Sequence, residues 1–201
     1  GHSAIGFNSR KNEMEVLHNK TAISSFIAPA HTQTYLAASK RKKDAVVLPL
    51  YAYSAVGFLD GKMWATAVRV DPDIRQDCNQ FIQKQVEKNV LEVKKKFPQN
   101  RLLEHIAHCA TVYYCPAARN FFLYRWEAPL PTSPACNSRC IGCISWQPKT
   151  SGMVSPQNRI TFIPTPEEIA ELAVFHIAHA PDPVVSFGQG CEGEPLQVWE
   201  T

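Results

Sequence analysis

Apolar positions change their spacing along this chain, and the change separates two kinds of element. Between residues 21 and 70 they fall in short runs, namely Thr34 to Leu36, residues 46–53 and residues 63–70, broken by turn formers. Runs of this length rich in aromatic and β-branched residues predict strands of a small antiparallel sheet. Asp60 and Gly61, between 55–59 and 63–65, predict a tight hairpin, because glycine tolerates the positive φ such a turn demands. From Ile74 to Phe97 the spacing becomes three and four residues, through Cys78, Phe81, Ile82, Val86, Val90 and Val93, which predicts one amphipathic helix over 74–97. Lys94, Lys95 and Lys96 suit the negative end of its dipole, and Pro98 ends it. A second helix is expected over 101–114. Pro129, Pro131 and Pro134 then mark a break, so the expected division is an α+β domain over 1–125 and a second domain over 126–201. In that second part Thr165, Pro166 and Glu168 form a helix start with a capping box. Residues 183–187 read as a short buried strand entering a glycine-rich turn.

Composition narrows the function classes. The 201 residues suit one ordinary domain or two small ones, and 45% hydrophobic with 19% charged residues excludes a fibrous or wholly disordered chain. A net charge of +3 is too small to point to nucleic acid or an anionic membrane as partner. The basic run Lys40 to Lys43 has no interleaved aromatic and reads as a solvated loop. The longest uncharged apolar stretch, 45–59, is shorter than the roughly 20 residues a bilayer needs. The start of the chain lacks the pattern of a signal peptide. Seven cysteines, an odd number at low density, favour a reducing compartment, and the expected location is the cytoplasm.

The candidate chemistry lies in the cysteines. His105, His108 and Cys109 share a helix face that could hold a metal. With no carboxylate nearby in sequence, they read as small and polar residues beside a core stripe of Leu102, Ile106 and Ala110. His176 and His179 read as packing or surface residues. Cys136, Cys140 and Cys143 differ, because three thiols fall within one short stretch bounded by Pro134 and interrupted by Gly142, which argues for a loop that wraps its ligands. Three protein ligands leave a catalytic metal one open position, and in a cubane [4Fe-4S] cluster they leave one iron without a thiolate. Structural zinc, with Cys115 or Cys191 as a distant fourth ligand, is the competing reading.

The run Cys136, Asn137, Ser138, Arg139, Cys140, Ile141, Gly142, Cys143 resembles the C-x3-C-x2-C loop of radical S-adenosylmethionine enzymes. Where family members often carry an aromatic before the third cysteine, this chain has Gly142. Further on, Gly190, Cys191, Glu192, Gly193, Glu194 and Pro195 resemble the family's Gly-Gly-Glu-Pro motif, with Glu192 in place of the first glycine. The resemblance implies that Cys136, Cys140 and Cys143 hold a [4Fe-4S] cluster. It implies that Gly193, Glu194 and Pro195 present backbone to the amino group of S-adenosylmethionine. Implied too is an α/β partial (β/α)6 barrel, of which the stretch after Cys136 would supply about two βα units, the chain stopping short of the rest. The implied reaction is reductive cleavage of S-adenosylmethionine to a 5′-deoxyadenosyl radical, with a one-electron donor such as ferredoxin or flavodoxin as partner and a substrate the sequence does not name. An electron-transfer protein with Cys191 as fourth ligand is an alternative. Gly188, Gly190 and Gly193 also satisfy a dinucleotide-binding glycine pattern, a weak match that leaves the cysteine triad without a purpose.

Overall fold

The computed structural model describes residues 1–188 and 191–200. The chain forms two compact units, the first made of residues 1–78 with 152–154 and the second of residues 79–151 with 155–201. The division falls at 78/79 instead of the expected 125/126. The physical reason is that the helices following residue 79 bury their apolar faces against the strand and helix that come after the proline break.

The first unit is made of short strands: β1 (His2–Asn8), β2 (Glu13–Thr21), β3 (Ser24–Ser25), β4 (His31–Gln33), β5 (Ser39–Arg41), β6 (Ser54–Leu59), β7 (Lys62–Ala65) and β8 (Ala67–Arg69). They form two three-stranded sheets, ordered β2-β1-β5 and β3-β6-β7, and a β4-β8 pair. Every pairing is antiparallel. The expected hairpin is present: β6 and β7 pair from Val56 opposite Ala65 to Leu59 opposite Lys62, and Asp60 and Gly61 both take positive φ, 51° and 75°. Residues 46–53 are not a strand. Pro49 supplies no N–H to a ladder, and the segment makes a single bridge to Val154 while the Tyr53 hydroxyl donates to the Pro49 carbonyl at 2.8 Å.

The second unit contains α1 (Gln83–Lys96), α2 (Arg101–Thr111), α3 (Pro116–Phe122), β9 (Glu127–Pro129), α4 (Pro166–His179) and β10 (Val184–Ser186). The helix expected over 74–97 begins only at Gln83; residues 74–76 and 78–80 are single 3-10 turns, the first capped by Asp73, and Ile74 and Ile82 face solvent. α2 ends at Thr111. Its N-cap Asn100 accepts from the Leu103 N–H, and its face of Leu102, Leu103, Ile106 and Ala110 is buried. That face meets Val86, Val90 and Val93 of α1, Phe121 and Phe122 of α3, and Leu172 and Phe175 of α4 in one core. The Asn89 amide, buried inside it, is satisfied by the Phe122 carbonyl at 2.6 Å. His176 packs on Phe121 and meets the Trp126 carbonyl, the packing role expected of it.

β9 and β10 pair in parallel, Val184 opposite Glu127 and Ser186 opposite Pro129, with α4 in the connection between them. Parallel strands cannot be joined by a tight turn, so this is a β-α-β unit in which both carboxyl ends point the same way. No helix among the described residues is long and apolar enough to cross a membrane.

Candidate cluster and cofactor site

Segments leaving the carboxyl ends of parallel strands run side by side, and in open α/β sheets that is where ligands bind. After β9 the chain passes through buried Leu130 to Ser133 and enters the cysteine loop. After β10 it passes Gly188, then Gln189 and Gly190, which lie outside the described residues, and re-enters at Cys191. The two segments then join: the Gly193 N–H donates to the Ser133 carbonyl at 3.1 Å and the Glu194 N–H to the Ala135 carbonyl at 2.7 Å. A β-carbon at position 193 would fall closer than 3.0 Å to both carbonyl oxygens, so only glycine permits this approach. The Glu194 carboxylate accepts from the Leu196 N–H and caps the short 3-10 turn that Pro195 opens.

Cys136, Cys140 and Cys143 therefore share a wall with Gly193, Glu194 and Pro195 around one cavity of about 700 Å³. A volume of that size lies inside the range of about 300–1,000 Å³ usual for small-molecule sites. Cys140 is exposed and Cys136 and Cys143 are half-buried. The loop is held by a turn in which the Cys143 N–H donates to the Cys140 carbonyl at 3.1 Å. Gln147 donates to the carbonyls of Ile141 and Cys143, at 2.9 and 2.8 Å, and closes the loop from behind.

Two cavity residues escaped the sequence reading. Arg159 donates to Ser145 Oγ at 3.2 Å and to the Pro134 carbonyl at 3.4 Å, and it reaches Cys143 Sγ at 3.6 Å. Partial burial would raise the Cys143 thiol, but hydrogen bonds from Ser145, the Trp146 backbone and Arg159 outweigh it and hold the thiol below its ordinary value. Trp146 lines the same cavity and gives it the aromatic surface that position 142 lacks. Arg159 stands in a loop-like stretch with no motif around it, so only its fold-dependent contacts identify it.

Cys191 does not line this cavity. It sits with Cys109, Cys115 and His105 around a separate, much smaller one, and burial, with Cys115 adding repulsion, pushes its thiol up to about 11. Glu192 lines both cavities and turns its carboxylate toward the smaller one: its Oε1 lies 2.6 Å from His105 Nε2 and its Oε2 accepts from the Ile160 N–H at 2.7 Å. His105 and Cys109 thus acquire the carboxylate that their sequence neighbourhood lacked.

Three thiols fit the donor chemistry of an iron-sulfur cluster. Among the described residues, the group whose ligand atoms all lie within 4.8 Å of one another is His105, Cys109 and Glu192; the loop cysteines do not form such a group. A single ion needs its ligands gathered that closely, whereas thiolates bound to separate irons of a cubane stand further apart. Compared with protein-family models, curated proteins and solved structures, the chain shows no match.

Proposed function

We propose that this chain carries the cluster and S-adenosylmethionine site of a radical S-adenosylmethionine enzyme. The observation that carries the reading is the meeting, on one cavity wall, of the cysteine loop and the Gly193 to Pro195 turn, two motifs far apart in sequence. Cys136, Cys140 and Cys143 are the residues that would hold a [4Fe-4S] cluster. When bound, such a cluster supplies the electron that cleaves the sulfonium of S-adenosylmethionine to methionine and a 5′-deoxyadenosyl radical. The chain's own residues orient and enclose. The Gly193 and Glu194 N–H groups fix the turn to the segment entering the loop, and Gln147 holds the loop closed. Arg139 and Arg159 bring positive charge to the cavity and Glu194 negative charge, which suits a ligand carrying both a carboxylate and an ammonium group. Trp146 offers an apolar face for a nucleobase. In the barrel reading, β9, α4 and β10 are the first strand, helix and second strand. A one-electron donor such as ferredoxin or flavodoxin and a reducing cytoplasmic setting complete the proposal, consistent with seven free cysteines.

The electron-transfer alternative needs Cys191 as fourth ligand, and its placement at a separate cavity disfavours that role. Anaerobic reconstitution with iron and sulfide, then electron paramagnetic resonance of the dithionite-reduced protein, tests the reading. A [4Fe-4S] signal that changes on adding S-adenosylmethionine and survives Cys191→Ala is expected. Zinc without a cluster, or a cluster signal indifferent to S-adenosylmethionine, overturns it.

A further inference from the structure

His105 and Cys109 stand one turn apart on α2 and so share a face. Glu192 approaches that face from the turn after β10. His105 Nε2 lies 2.6 Å from Glu192 Oε1 and 3.7 Å from Cys109 Sγ, and all three ligand atoms lie within 4.8 Å of one another. The carboxylate is buried, its side chain 3% exposed and that of His105 14%. A charge taken so far from water demands a compensating cation or hydrogen bonds. Glu192 Oε2 is met by the Ile160 N–H, which aims Oε1 at the histidine and the thiol. Two more sulfur donors, Cys115 and Cys191, line the same small cavity. A core that only had to fill this space would use apolar side chains.

The spacing matches a known coordination geometry. With Zn–N of about 2.0 Å and Zn–S of about 2.3 Å, a tetrahedral ion holds its nitrogen and sulfur ligands about 3.5 Å apart, and the observed separation is 3.7 Å. The histidine–carboxylate contact is a hydrogen bond that an ion replaces, opening it to about 3.3 Å. Mixed nitrogen, sulfur and carboxylate donors select zinc-like transition ions over magnesium or calcium, which take oxygen.

We propose that His105, Cys109 and Glu192 bind a zinc-type divalent cation in a structural site, the fourth position closing when Cys115 or Cys191, which line the same cavity outside the close group, shifts toward the ion. The site ties α2 to the turn that presents Gly193 and Glu194. Its donor set includes none of the loop cysteines, although Glu192 also lines the loop cavity.

Cobalt(II) is the probe, titrated into the full chain in which Cys136, Cys140 and Cys143 are all replaced by serine, with circular dichroism to confirm folding. One equivalent is expected, with sulfur-to-cobalt charge transfer and the intense visible bands of a tetrahedral ion. Cys109→Ser in that background weakens charge transfer and lowers affinity by at least about 100-fold, the upper end of the loss seen when an outer partner is removed. No uptake by the loop variant, or uptake that Cys109→Ser leaves unchanged, overturns the site. Should the loop variant fail to fold, wild type is compared with Cys109→Ser: one cobalt fewer per chain supports the proposal, and equal uptake overturns it.

Discussion

Gly193 joins both halves of the candidate site, and the reason lies in close approach. Its φ is not in the left-handed region, where the described glycines are Gly61 and Gly152. What excludes a side chain is the backbone of Ser133 and Ala135, which cannot swing aside as a flexible side chain would. Gly193→Ala should push the turn off the segment entering the cysteine loop and lengthen both backbone hydrogen bonds, at a cost of about 1–3 kcal/mol typical of overpacking. Urea denaturation reads the cost; an unchanged midpoint would show that the two segments part without penalty. The motif glycine was legible in the sequence, but its structural reason was not. Glu192 was legible only as a glycine lost from the motif, since its partners His105 and Ile160 stand 87 and 32 residues away. Arg159 was invisible for the same reason: its contacts with Pro134, Cys143 and Ser145 exist only once the chain has folded back.

α4 shows how much one element can declare locally. Thr165 accepts from the Glu168 N–H at 3.2 Å, and Glu168 returns to the Thr165 N–H at 2.8 Å, completing the box read from four residues of sequence. Thr165→Ala should cost about 1 kcal/mol, seen as a lower urea midpoint with an unchanged slope. Glu168 does more than cap, because Arg101 at the start of α2 binds its carboxylate from Nε at 2.8 Å and Nη2 at 2.7 Å. Those hydrogen bonds hold the carboxyl down at about 2. A carboxyl whose folded value is depressed leaves the unfolded state binding more protons, so its stabilisation is full above the ordinary carboxylate range and fades as pH falls toward 2. The melting-temperature gap between wild type and Glu168→Gln should therefore narrow from about pH 6 to about pH 2. A gap that stays constant across that range would locate the effect elsewhere. Long periodic helices and caps were legible because their signals are local. α3, with seven residues, is too short for periodicity to show. β9 read as a proline break because its ladder partner β10 arrives only after α4.

At the scale of the molecule, the buried apolar residues are unevenly divided. The core cluster, from Val86 and Leu102 to Phe121 and Phe175, lies in the second unit. In the first unit Ala45 is buried and Ser54 is fully enclosed, while Phe7, Phe58 and Trp64 on its strands remain more than half exposed. Hydrophobic stabilisation scales with apolar area removed from water, so the second unit should have the larger free energy of opening. Its slowest amides should be those of Val86 to Val93 and Leu102 to Ala110, exchanging only when the core opens. Amides of β1, β2 and β6 should exchange through smaller openings. Hydrogen exchange followed by mass spectrometry separates the cases, and β1 or β2 protected as strongly as α2 would contradict this ranking. The ranking also bears on chemistry. Both the loop cavity and the His105, Cys109, Glu192 cluster lie in the second unit; the cluster's small cavity takes its walls from α2, the end of β9 and the turn after β10, and the loop cavity shares that turn. Denaturant should therefore expose β1 and β2 to exchange at concentrations that leave Cys109 shielded from alkylation, because its thiol is buried in the core cluster and becomes accessible only when that core itself opens.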